Sequence, residues 1–245
     1  MRVLASGSYN VAWFKLADFI SRGEKERALS IHRLLMHSVQ DVAIAYQLEG
    51  DILLAFDDNA ALDRYHVAAN LYKKSGKIQQ AISVYEHVSL FKEDENVYEA
   101  LLDIYMFMQN KSGILETFSR LAKVCLKKEN ISHLDHLFQR YLLESSKTMQ
   151  ARLSARFVRA ILLYDEQNID ISSYTYQTLD LFKESLSIAS DISEPSSFVT
   201  GNQGMMHCVD ASQSECMDLQ RFLADLKALD NPEYLKAIKY LETNF

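Results

Sequence analysis

Apolar residues recur along this chain at spacings of three and four and are interrupted at short intervals by turn-forming residues, the mark of successive amphipathic helices. The stretch from Tyr65 to Val88 shows it most clearly. Tyr65, Ala68, Ala69 and Tyr72 form one face before Gly76, and Ile78, Ala81, Ile82, Tyr85 and Val88 form another after it. The spacing predicts a helix, a tight turn and a second helix. Ala69 and Ala81 leave room for two backbones to approach, the tyrosines fill the remaining volume, and Gly76 supplies a left-handed turn position. One hairpin of this size cannot bury its own apolar surface, so neighbours must stack on it.

The same design is expected on both sides. Helices are predicted over 10–21, with Val11, Phe14 and Leu16 to Phe19 inside, and over 24–39, around Ala28, Ile31, Leu34 and Leu35, with Gly23 between them. Asp41 is placed to cap a helix over 42–56, and Asp57, Asp58 and Asn59 form the next turn. Further helices are expected over 93–108, 112–126, 131–144 and 148–164. The helix pairs start near Tyr9, Asp41, Lys77, Ser112 and Lys147, so their offsets cluster in roughly the mid-thirties, a period that belongs to helical-repeat architectures.

At that period the residues resemble the tetratricopeptide repeat family. Tyr72, Gly76, Ala81, Tyr85 and Val88 reproduce its aromatic, Gly, Ala, aromatic, small-apolar spacing, and Phe19, Gly23, Ala28, His32 and Leu35 do so again, with His32 off pattern. Tyr46, Gly50, Ala61, Tyr65 and Ala68 resemble a third copy. Tyr98, Leu102, Tyr105, Ile114, Phe118 and Leu121 resemble a fourth, with Ile in place of the family's Ala. The resemblance covers residues 9–164. It implies an all-α, right-handed α-solenoid of antiparallel helix pairs that binds a protein or peptide partner on one layer of helices. Because the helix over 62–74 fits either phase of the repeat, the concave layer is not assigned.

After Gln167 the pattern changes, which divides the chain into a repeat domain, 1–166, and a C-terminal helical extension, 167–245. A long helix is expected over 174–190. Pro195, paired serines, Gly201, Asn202 and Gly204 then predict a long loop over 191–213, followed by capping helices over 214–229 and from Asn231 and Pro232 onward.

Composition narrows the function classes. Two prolines and seven glycines in 245 residues leave few helix breakers. The net charge of −7 argues against wholesale nucleic-acid binding. Cys125, Cys208 and Cys216 form no C-x-x-C pair and encode no disulfide framework, as expected of a cytoplasmic protein. The N-terminal stretch gains Lys15 and Asp18 too early for a signal peptide or a membrane span.

Candidate chemistry is correspondingly sparse. The stretch SGKIQQ lacks the preceding glycine and the strand of a phosphate loop, and neither H-E-x-x-H nor G-x-S-x-G occurs. His133 and His136 lack a third metal ligand, and His207, Cys208 and Cys216 match no zinc module. No catalytic residue, cofactor or metal is therefore expected, although an enzyme with a pocket at Met205 to Cys208 remains an alternative.

Charge placement says more. Between Lys111 and Glu166 ten Lys or Arg face six Asp or Glu, a local excess of four positive charges in an acidic chain. Arg120, Lys123 and Lys127 fall at i, i+3, i+7, and Arg152, Arg156 and Arg159 at i, i+4, i+7 two helices later. Alternate helices of a solenoid share a layer, so both stripes are candidates to bind an acidic peptide or a phosphorylated segment. A nucleic-acid backbone is the alternative ligand, and solvated helix faces are the plain one. His66, Asn70 and Lys73 form a second polar stripe. It falls where, by the resemblance, the family places groove-facing residues that hold a C-terminal carboxylate. Glu99 and Asp103 in the following stretch carry the wrong charge for that ligand.

Overall fold

The computed structural model describes residues 6–37, 39, 41–164, 170–190, 197–200, 206–209, 213–228 and 233–244; within these, 6–10, 189–190, 197–200, 206–209, 213–215 and 244 are described by backbone alone. The described residues form twelve helices and one small hairpin. The helices are α1 (Ser6–Ser21), α2 (Lys25–Met36), α3 (Val42–Ala55), α4 (Ala60–Lys74), α5 (Ile78–Ser89), α6 (Glu95–Phe107), α7 (Lys111–Lys127), α8 (Ile131–Glu144), α9 (Lys147–Tyr164), α10 (Ser172–Ser190), α11 (Gln213–Ala228) and α12 (Glu233–Asn244). The chain is all-α apart from β1 (Ser197–Thr200) and β2 (Met206–Val209), which pair antiparallel with Ser197 opposite Val209. This hairpin lies within the segment expected to be one long loop. Phe198, Val199 and Thr200 before the glycines and Val209 after them supply strand propensity that the turn residues masked. The remainder of that segment, 191–196, 201–205 and 210–212, and the Asn231 and Pro232 cap are outside the described residues.

Packing divides the chain into two compact units, Met1–Ile104 and Tyr105–Phe245, with the boundary inside α6. In the first unit, Leu16, Ala28, Leu35 and Ile52 form a buried cluster covered by Trp13, Phe19, Ile20, Leu48 and Phe56. Three large apolar residues expected inside are on the surface, Val11 at 52% exposure, Phe14 at 77% and Leu34 at 50%. The helical phase of α1 turns Leu16 inward and thereby Phe14, two positions earlier, outward. Farther along, Tyr65, Ala68, Ala69 and Tyr72 of α4 and Ala81, Tyr85 and Val88 of α5 are buried, as their spacing predicted, while Ile78 and Ile82, also expected on that face, are half-buried and Val84 is buried beside them. The tyrosine rings fill space between helices while the hydroxyls donate at the rim, from Tyr65 to Asp51 Oδ1 (2.6 Å) and from Tyr72 to Gln47 Oε1 (3.1 Å). Burial together with the Asp51 carboxylate pushes the Tyr65 phenol well above its usual range.

One turn recurs. At the ends of α1, α3, α4, α6 and α7 a residue at positive φ (Gly23, Asp57, Gly76, Gln109 and Glu129) is followed by an N–H that donates back five positions to a carbonyl. The bonds run from Glu24 to Phe19 (2.9 Å), Asp58 to Leu53 (3.0 Å), Lys77 to Tyr72 (2.9 Å), Asn110 to Tyr105 (3.0 Å) and Asn130 to Cys125 (2.8 Å). They satisfy carbonyls that each helix end would otherwise leave without a partner. Asp41 caps α3 as its sequence position predicted, accepting from the Ala43 N–H at 3.0 Å. Gly50 serves differently from its place in the third resembling copy. It lies inside α3 with the Tyr65 ring where a Cβ would stand, 3.0 Å from Cδ1, so it permits close helix approach and is not a turn residue.

Alternate turns of the first unit are joined by polar links. Lys25 pairs with Asp58, Lys77 with Asp41, and Lys92 Nζ donates to Asn59 Oδ1 at 3.4 Å, across separations of 33, 36 and 33 residues. The Lys77 ammonium and its hydrogen bond hold the Asp41 carboxyl below the usual carboxylate range, and Lys25 does the same for Asp58.

In the second unit an aromatic run passes from helix to helix. Phe118 of α7 lies 6.2 Å from Phe138 of α8, which stacks on Phe157 of α9 (4.2 Å, 3° between planes), and Tyr174 of α10 meets Phe157 edge-on at 4.9 Å. Cys125 is buried and outside any disulfide, whereas Cys216 takes part in one; the sequence reading had expected no disulfide framework. No described helix is long and apolar enough to cross a membrane.

Candidate functional site

The second arginine stripe of the sequence lines a cleft. Met149, Leu153, Phe157 and Ile161 recur at every fourth position of α9 and are buried, which fixes the rotation of the helix about its axis. Arg152, Arg156 and Arg159 consequently emerge on a different side. On α11, Cys216, Leu219, Phe222, Leu223 and Leu226 are buried, leaving Asp218, Arg221 and Asp225 on a polar side at i, i+3, i+7.

The two sides meet in register. Arg152 Nε lies 2.6 Å from Asp218 Oδ2 and Arg159 Nη1 lies 3.2 Å from Asp225 Oδ2. Seven residues separate the arginines and seven separate the aspartates, in the same order, so α9 and α11 run in the same direction with one rung per two turns. The first rung is the more enclosed, with side chains 20% and 21% exposed against 44% and 31% in the second. Arg221 Nη1 approaches Asp218 Oδ1 only to 3.8 Å and is 72% exposed. Arg156 is exposed and has no ion-pair partner among the described residues. The cleft encloses about 80 Å³, with Leu115 of α7, Ala155, Phe182 of α10 and Phe222 contributing apolar wall. Its four guanidiniums face two carboxylates, an excess of two positive charges beside an apolar lining.

The first arginine stripe is not part of this cleft. Arg120 pairs along its own helix with Glu116 (2.5 Å), Lys123 is half-buried, and Lys127 is exposed at the end of α7. Sequence reasoning located Arg152, Arg156 and Arg159 but missed Asp218, Arg221 and Asp225. The i, i+3, i+7 spacing on α11 was readable as a charged face, but nothing in the sequence paired it with a helix more than sixty positions earlier.

His66, Asn70 and Lys73 lie on α4 in the first unit. Asn70 and Lys73 are exposed, while His66 is half-buried, with Nδ1 3.4 Å from the Tyr85 hydroxyl and its ring edge-on to that tyrosine. Burial holds the His66 imidazole below its ordinary value, against the opposing pull of Asp94 and Asp63. Among the described residues no three His, Cys, Asp or Glu side chains gather as a metal site. His133 and His136 are both on α8, and the side chains of His207 and Cys208 are outside the described residues.

Compared with protein-family models and with curated proteins, the sequence matches none.

Proposed function

We propose that this chain is a protein-interaction scaffold of tetratricopeptide-like helix pairs, without catalysis of its own, that engages an acidic segment of a partner at the α9/α11 cleft. The observation that carries the reading is the cleft's uncompensated positive charge beside an apolar wall, with Arg156 and Arg221 presented from two helices. Such a site offers a partner both apolar contact and charge-assisted hydrogen bonds. The repeat reading is supported by the shared turn at the ends of five helices and by the links between alternate turns at separations of 33 to 36 residues. Neither makes the function, which rests on the cleft.

The test uses two exposed arginines, Arg156→Glu combined with Arg221→Glu. Arg152 is left intact because its pairing with Asp218 is structural. Wild-type and double-mutant chains are used to capture proteins from native lysate, with quantitative mass spectrometry and a thermal melt of each. Specific proteins held by wild type and lost from the double mutant, at an unchanged melting temperature, are expected. Identical capture profiles would overturn the reading.

A further inference from the structure

The cleft does more than attract negative charge, because its charge count and the placing of its arginines select the group it holds. The cleft offers about 80 Å³ of water-accessible space and is partly open to solvent, room for several waters at roughly 10–15 Å³ each. That is room enough for a tetrahedral anion. The excess of two positive charges is half-compensated by a carboxylate but nearly matched by a phosphomonoester, which carries about −1.5 to −2 at neutral pH. Arg156 and Arg221 approach from separate helices, and each planar fork fits pairs of phosphoryl oxygens. A nucleic-acid backbone needs a continuous track of cations. Here Arg152 and Arg159 are already neutralised by Asp218 and Asp225, which leaves a single point of excess charge.

We infer that the α9/α11 cleft binds a phosphorylated serine or threonine side chain of the partner, with Arg156 and Arg221 gripping its phosphoryl oxygens. The two Arg–Asp rungs keep the helices in register beneath them. The inference rests on the cleft being the partner site and names the chemistry that site recognises.

It is tested on the full-length ¹⁵N-labelled chain by following arginine Nε–H resonances during titration with N-acetyl-O-phosphoserine amide, N-acetylglutamate amide or oligothymidylate at matched ionic strength. The Arg156 and Arg221 signals should shift saturably with the phosphoserine compound, with binding about fivefold tighter than for the glutamate compound. The preference should grow from pH 5 to pH 7 as the phosphate loses its second proton near a pKa of about 6. Arg156→Gln and Arg221→Gln should each abolish the shift, and both sites are exposed, so the fold is retained. Equal binding of both amino-acid amides would remove the phosphate preference while leaving the acidic-partner reading intact. No shift with either would remove both, and tighter binding of oligothymidylate at equal phosphate concentration would replace the phosphoprotein partner with a nucleic acid.

Discussion

Replacing Gly76 by alanine and Glu129 by glycine should change stability in opposite directions, although both residues occupy the same turn. Gly76 sits at φ +74° with nothing within 4 Å of where a Cβ would stand, so the change to alanine introduces no clash. The cost is backbone strain alone. An L-residue in the left-handed region costs about 1–2 kcal/mol, and losing glycine's unfolded-state freedom returns about 0.4–1 kcal/mol. The net expectation is a destabilisation of about 1 kcal/mol. Glu129 is exposed at φ 58°, with the same backbone bond following it, so Glu129→Gly runs the sum backwards and should stabilise by about 1 kcal/mol. With urea slopes of roughly 1–3 kcal/mol/M, each midpoint should move by about 0.3–1 M, downward for Gly76→Ala and upward for Glu129→Gly. Urea titrations followed by far-ultraviolet circular dichroism read both. A neutral Gly76→Ala, or a Glu129→Gly that lowers the midpoint, would refute the assignment of a shared strained turn.

Other perturbations test packing, pairing and protonation. Gly113→Ala should cost about 1–3 kcal/mol, since its Cβ would fall 2.8 Å from two ring atoms of Tyr105; a melting temperature within error of wild type would show that the ring moves freely. A double-mutant cycle on Arg152 and Asp218 should give a coupling of roughly 1–2 kcal/mol, larger than that of the more exposed Arg159 and Asp225. The reverse order would contradict the burial difference. Because Lys77 depresses the folded-state pKa of Asp41 below its ordinary value of 3.8, Asp41 contributes stability that is present above pH 3.8 and lost as pH falls through the depressed value. In Lys77→Met the Asp41 carboxyl midpoint, followed by NMR, should rise toward 3.8.

Local chemistry was legible in the sequence wherever the residue type itself announces the conformation. Asp41 as a cap, Gly23 as the break between the first two helices and Gly76 as a left-handed turn residue followed from side-chain identity, and periodicity placed the buried face of α4 and most of that of α5. Asp57 was recognised as part of a turn, but Gln109 and Glu129 reach positive φ with side chains that do not favour it. There the stacked helices on either side dictate the backbone, and no single position reveals that. Gly50 fell within the helix expected over 42–56, but nothing local showed that a tyrosine ring occupies the space its missing side chain leaves. The cleft was half legible. The α9 arginines stood out at helical spacing, but their aspartate partners are supplied from 66 positions away, and long-range pairing leaves no trace in a local pattern.

The single tryptophan, Trp13, covers the small cluster around Leu16 and Leu35 in the first unit. Intrinsic indole emission is therefore a private reporter of residues 1–104, silent about unfolding elsewhere. Excitation at the red edge, compared with tyrosine-sensitive absorbance from both halves, would resolve whether one unit melts ahead of the other without any label being attached.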